Sequence, residues 1–289
     1  MFPARGGLVL GGHEAVMREE VRPTRSSPGV LLAIGAFFAA LWAPLGHRAF
    51  LELHWMKIGA PLALLTMWLG LSSRRQPGAA RRGLPRWDHD ERLLACLLTA
   101  AYLVHQIEEH WVDLLGRRYP LYEILNELLA GAFGAAADGA MTPAAIFFVN
   151  TTLVWLTGFL SIWRGGGFAV DALAGVVTVN GIAHIVQALA TGTYNPGLAT
   201  ALSLFAPLAF AAARGRRAAS ATTARRLGLG ALWGLAAHAL LVAGVVASNV
   251  HGVVPTTAFY AVLATWGALP ALIGQYASER DPAPLSQVE

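Results

Sequence analysis

The sequence predicts an all-α fold: a polytopic transmembrane helical bundle of about eight spans, with a short amphipathic interfacial helix after the third. Three observations carry this. Of the 289 residues, 55% are hydrophobic and only 13% are charged, whereas ordinary soluble domains are about a quarter charged. The charge is clumped, in stretches such as RRQPGAARRGLPRWDHDER and RGRRAASATTARR, between apolar runs that approach the roughly 20 residues needed to cross a bilayer. Those runs are long and unbroken, without the strict alternation over about 10 residues that a lipid-facing barrel needs. The formal net charge of +4 therefore belongs to loops, and no nucleic-acid partner is expected. The single cysteine, Cys96, excludes an internal disulfide and any cysteine-based zinc site.

Apolar runs place the spans at 29–46, 58–73, 92–115, 143–163, 168–191, 197–213, 227–247 and 256–277. The first 28 residues read as a polar tail. Its GGLVLGG run is too short for a cleavable signal peptide, so the first span is expected to serve as the targeting signal, and Met17 is a second candidate start. With the amino terminus in the cytoplasm, the 21 Lys and Arg residues leave only Arg48, Lys57, Arg117 and Arg118 on the opposite face. The positive-inside rule then puts both termini on the cytoplasmic side of a plasma membrane. The abundance of Ala, Gly and Arg suggests a bacterial source. After the third span, YPLYEILNELLAGAFG sets Leu121, Ile124, Leu125, Leu128 and Leu129 on one face, opposite Glu123, Asn126 and Glu127. This helix is expected to lie in the outer interface, where the two glutamates either face water or reach the site.

Polar residues inside these spans carry the functional signal, because an ionisable group in hydrocarbon is costly unless paired, hydrated or bound to a cation. His105, Glu108 and Glu109 stand at i, i+3 and i+4 and project from one helical face. Asn180 and His184 form an i, i+4 pair in the fifth span, and Asn150 in the fourth falls at a similar depth. Asp113 extends the acidic face toward the outer surface. His110 lies roughly 140° round the helix from His105 and is expected to face a neighbouring helix or the interface instead.

Imidazole and carboxylate on facing helices suit zinc, iron or manganese, with His105, Glu108, Glu109 and His184 as ligands. The same residues without a metal would form a proton relay, with Glu108, Glu109 and His105 as acid/base groups. Plainer readings stand beside these. HQIEEH can be a helix end facing water, NGIAH can be interhelical hydrogen-bond glue, and YNPG can be only a turn. His238 reads as a packing histidine, and His47, His54 and His251 as solvated loop residues. WRGGGF lacks the context of a phosphate loop.

The ordered set HQIEE at 105–109, NGIAH at 180–184 and YNPG at 194–197 resembles the integral membrane family named for its HXXEE motif. The resemblance covers roughly 92–213 and falls on His105, Glu108, Glu109, Asn180, His184, Tyr194, Pro196 and Gly197. It divides the chain into a polar tail (1–28), two extra helices with a basic loop (29–91), the HXXEE-like membrane domain (92–213), and a basic loop with two further helices and a polar tail (214–289). It implies no activity, since the family is a domain of unknown function. The site itself favours a membrane-embedded metal-dependent or acid/base enzyme acting on a lipid-like or isoprenoid-like substrate. A proton-coupled carrier is the alternative, although no inverted repeat of the acidic motif exists. A non-catalytic scaffold is the third reading.

Overall fold

The computed structural model describes residues 28–43, 48–72, 91–219 and 221–278. Among these, regular structure is helical apart from one isolated bridge between Val112 and Arg118. The helices are α1 (Pro28–Trp42), α2 (Arg48–Ser72), α3 (Glu91–His110), α4 (Pro120–Phe133), α5 (Pro143–Arg164), α6 (Phe168–Thr191), α7 (198–219), α8 (221–250) and α9 (Thr256–Ser278). Five are long and apolar enough to cross a membrane, over Pro143–Arg164, Phe168–Thr191, Leu198–Gly215, Arg225–Val250 and Thr256–Ile273. α1 is apolar but shorter, and α2 and α3 have the length but carry polar groups such as Glu52, Lys57, Glu108 and Glu109.

Two expected boundaries move. The third span ends at His110 and not near 115, because the chain turns back on itself there: the Tyr119 N–H donates to the Trp111 carbonyl and the Asp113 N–H to that of Arg117. α2 begins ten residues earlier than its apolar run, so His54 is a half-buried helical residue facing the Tyr119 hydroxyl at 3.4 Å, and not a solvated loop residue.

α3 is the hub, and nearly every residue from Leu93 to His110 is buried. Only an apolar stripe at Leu97, Val104 and Ile107 is left open, so the helix has no polar face toward the outside and its polar side chains must find partners within the bundle. α6 runs alongside α3 in the same direction, with Asn180 at Tyr102 and His184 at Glu109. α5 and α7 run the other way, pairing Asn150 with Gln106 and Thr200 with Glu108. α6 and α8 touch backbone to backbone: a Cβ at Gly175 would lie 1.8 Å from the Gly230 carbonyl oxygen, and one at Gly234 would lie 2.4 Å from Gly175. In lipid, where apolar burial drives little association, such close small-residue packing holds helices together.

α4 forms where expected but presents a different face. Asn126 is buried, donating to the Met141 carbonyl and accepting from the Met141 N–H, so it ties α4 to the start of α5. Glu123 and Glu127 are exposed and do not reach the polar cluster. Among the described residues, three π-helical turns interrupt the α-geometry, at Asn150–Leu156, Ala201–Phe205 and Val246–Val250. The first two lie beside the polar residues of α3, and such turns recur at functional sites.

Candidate metal centre

HQIEEH is not a solvated helix end: His105, Gln106, Glu108, Glu109 and His110 are all buried. One turn of α3 brings His105 and Glu109 together, and α6 supplies His184 from across the interface. Glu109 Oε1 lies 3.2 Å from His105 Nε2 and 2.9 Å from His184 Nε2. One ligand atom from each residue falls within 4.8 Å of the others. Ligands bound to zinc at about 2.1 Å in a tetrahedron stand about 3.4 Å apart, so small side-chain adjustments would bring the set onto an ion.

The protons on the two imidazoles follow from their partners. Asn195 Nδ2 donates to the His184 carbonyl at 2.9 Å, which turns its Oδ1 toward His184 Nδ1 at 2.6 Å. An amide oxygen only accepts, so His184 Nδ1 carries a hydrogen. On the other ring, Thr200 Oγ1 donates its one proton to Glu108 Oε2 at 2.5 Å and accepts from His105 Nδ1 at 2.7 Å. Both neutral imidazoles therefore turn a bare Nε2 toward the same carboxylate oxygen. Two lone pairs and an anion at this range repel unless positive charge stands among them, either a proton that makes an imidazolium or a cation. His105 Nε2 is also one of the few buried polar atoms with no hydrogen-bond partner among the described residues. The donor set, two His Nε2 and one carboxylate with each Nδ1 held by an oxygen, fits a three-ligand metal site with a position left open.

Glu108, expected in the same set, is turned away from it. Its carboxylate accepts from Tyr194 Oη at 2.7 Å, Ala199 N at 3.1 Å, and Thr200 N and Oγ1 at 2.8 and 2.5 Å. The two backbone donors belong to the first turn of α7, whose N–H groups have no intrahelical partner, so Glu108 caps that helix from α3. Asp113 does not extend the acidic face either. It organises the turn after α3, accepting from Leu115 N, Arg117 N and, at 2.6 Å, Arg117 Nε. Burial pushes its carboxyl up, but the Arg117 N–H and guanidinium overcome this and hold it below the usual carboxylate range. Burial and the bond to Glu108 raise the Tyr194 phenol, so it stays a donor.

The YNPG stretch is more than a turn. Gly197 adopts φ +93°, and a Cβ there would lie 2.7 Å from Cε1 of both His105 and His184 and 2.9 Å from Cγ of Glu109. Its bare backbone closes one side of the centre. A second polar chain approaches from α5. The Trp155 indole donates to Gln106 Oε1 at 2.7 Å, Gln106 Nε2 donates to Asn150 Oδ1 at 2.8 Å, and Asn150 Nδ2 donates to His110 Nε2 at 3.2 Å. Because indole can only donate, every later amide orientation follows, and His110 is fixed as an acceptor at Nε2. His110 faces α5 as its position on the helix predicts, yet it also comes within 3.4 Å of Glu109 Oε2 and so borders the centre. Asn180 does not join the centre: its Nδ2 donates to the Tyr102 hydroxyl at 2.8 Å.

Beside the centre lies a cavity of about 260 Å³, lined by Glu109 and His184 on the polar side and by residues such as Leu153, Val176 and Leu241 elsewhere. His238 of α8 also lines it, while its Nδ1 donates to the Gly234 carbonyl at 2.8 Å. Ala183 of α6 and Val242 of α8 border the same cavity and are exposed. The cavity thus reaches the protein surface between α6 and α8, above the level where Gly175 and Gly234 clamp the two helices.

Residues 96–212 match the family model described as a protein of unknown function with HXXEE motif. Over this stretch the chain is similar to that family. No curated protein and no solved structure matches the chain. His105, Glu108 and Glu109 are the H, E and E of the motif, and they divide into two jobs within this stretch: His105 and Glu109 face the centre, and Glu108 secures α7. The match runs from within α3 into α7, so α1, α2, α8 and α9 lie outside it, and with them His238. Asn195, Thr200, Gln106 and Tyr102 are site residues that sequence spacing does not single out. Asn195 sits inside YNPG, where an Asn reads as a turn former, and Thr200 is one of many threonines in apolar helices.

Proposed function

We propose that the HXXEE-like domain is the core of a membrane-embedded enzyme whose His105, Glu109 and His184 hold a divalent metal, zinc, iron or manganese, and which acts on a lipid-like or isoprenoid-like substrate. The observation that carries this is the arrangement of the two rings: both Nδ1 atoms are engaged by oxygen partners, and both Nε2 atoms converge on one carboxylate oxygen. Evolved metal sites fix histidine ligands in this manner, through the nitrogen that does not bind. A bound metal would polarise an oxygen of the substrate or of water as a Lewis acid. The chain's own residues do the remaining work. Thr200 and Asn195 orient the imidazoles, Gly197 leaves room for them, and the apolar cavity excludes water from one side. His110, held as an acceptor by Asn150, borders Glu109 at 3.4 Å and walls that side of the centre.

The cavity's exposed border at Ala183 and Val242 supports a substrate that arrives from within the bilayer. The distribution of Lys and Arg supports a plasma-membrane, multi-pass orientation with both termini in the cytoplasm and the centre in the outer half. Metal analysis of purified protein tests the reading: about one metal per chain in the wild type, and none in His105→Ala or Glu109→Ala variants that remain folded. A wild-type protein without stoichiometric metal would overturn the metal reading and leave an imidazolium–carboxylate pair at His184 and Glu109 performing proton transfer.

A further inference from the structure

We infer that the cavity beside the metal centre takes a neutral amphiphile headed by a hydroxyl group, and that Asn180 reads the hydroxyl hydrogen; this names the substrate class of the site proposed above and rests on that reading. Asn180 lines the cavity. Its Nδ2 is committed to Tyr102, and its Oδ1 is buried with no hydrogen-bond partner among the described residues. A buried amide oxygen left bare is costly, and what it lacks is a donor. His238 offers a second acceptor into the same space, since its Nδ1 already donates to Gly234 and only Nε2 remains. The Tyr102 hydroxyl accepts from Asn180 and keeps its own proton to give. A hydroxyl group donates once and accepts, so one such group can satisfy Asn180 and Tyr102 together, whereas an ether or ketone has nothing for Asn180.

Charge and shape narrow the class further. Among the described residues no Lys or Arg lines the cavity, and the Glu109 carboxylate faces it, so a phosphate or carboxylate headgroup would have the proposed metal alone to balance its charge and no side-chain cation beside it. At about 260 Å³ the cavity is smaller than most small-molecule sites and has room for a headgroup and the first part of a chain. The rest of the chain would leave between Ala183 and Val242 into lipid. A bilayer-borne long-chain alcohol fits this arrangement better than a short alcohol dissolved in water.

The test uses the full-length protein in lipid nanodiscs, with saturable binding of tritiated dodecan-1-ol and competition by 1-methoxydodecane, dodecyl phosphate and butan-1-ol. Unlabelled dodecan-1-ol is expected to compete at least about tenfold better than each of the other three, because a site built to bond a hydroxyl rejects the ether and the phosphate, and butan-1-ol lacks the chain that would extend into lipid. Asn180→Leu is expected to bring dodecan-1-ol and 1-methoxydodecane to within about twofold of each other. Equal or tighter binding of the ether or the phosphate by the wild type, or no saturable alcohol binding, would overturn the inference whether or not the variant folds. Metal content measured on the same preparation keeps the two readings apart. Metal present with no alcohol preference ends the substrate inference alone, and alcohol preference without metal ends the metal reading alone.

Discussion

Asn195 grips His184 at both ends, donating from Nδ2 to its backbone carbonyl and accepting at Oδ1 from its ring Nδ1. One side chain in the loop after α6 thereby sets both the rotamer and the tautomer of a residue within the helix. Replacing it with alanine leaves the imidazole free to turn and to move its proton to Nε2, the atom that faces Glu109. Asn195→Ala is therefore expected to lower metal affinity by about 10–100-fold, the usual effect of losing a partner behind a ligand. Titration against a competing chelator measures it, and an unchanged affinity would show that His184 is held by other means.

The two adjacent glutamates of the motif should behave differently. Glu109→Gln removes the carboxylate that both histidines face and is expected to abolish metal binding. Glu108→Gln keeps the size but presents an amide N–H₂ to groups that are themselves donors, the N–H groups of Ala199 and Thr200 and the hydroxyls of Tyr194 and Thr200. Two buried donors left unmatched cost about 1–3 kcal/mol each, so this variant should melt several degrees lower while still binding metal. Metal stoichiometry and Tm read together separate the two, and loss of metal in Glu108→Gln at unchanged Tm would contradict the division of roles.

This division marks where sequence reasoning stops. Spacing identifies His105, Glu108 and Glu109 as neighbours on one face, and the i, i+4 pair at Asn180 and His184 as their counterpart. It cannot choose between residues at i+3 and i+4, because both lie on that face; the choice is made by the first turn of α7, which draws Glu108 aside. Asn180 shares its face with His184 but sits one turn lower, beside Tyr102 and not Glu109. The helical class was legible because apolar runs of this length have few other fates. The end of α3 was not, because the turn after His110 depends on the Asp113 and Arg117 pairing and not on hydropathy.

Gly197 offers a test of how tightly the centre is closed. Gly197→Ala would strain a backbone at φ +93° and also push a methyl group against both imidazoles and Glu109. Gly192 sits in the same loop at φ +65° with nothing within 4 Å of its added Cβ, so Gly192→Ala carries the backbone strain alone, roughly 1–2 kcal/mol. Both variants are expected to lose stability, but only Gly197→Ala should lose metal. Equal metal content in the two would mean that the imidazoles can retreat from the methyl group, and that the glycine serves the turn only.

The turn after α3 should open in acid. Asp113 has a lowered carboxyl pKa in the folded chain, so its contribution to stability is fully present above the unfolded value of about 3.9 and is lost as pH falls through the lower folded value. Protonation removes the acceptor for Arg117 Nε and weakens the bonds from Leu115 N and Arg117 N, which together hold the loop. Leu114 and Leu115 are largely exposed on that loop and offer a site to pepsin, which is active at these pH values. Cleavage there is expected to rise as pH falls from about 4 toward 2, relative to an unstructured control peptide, and Asp113→Asn should be cleaved readily at both ends of the range. A wild-type cleavage rate that tracks the control peptide throughout would show that the loop is held by contacts other than the Asp113 carboxylate.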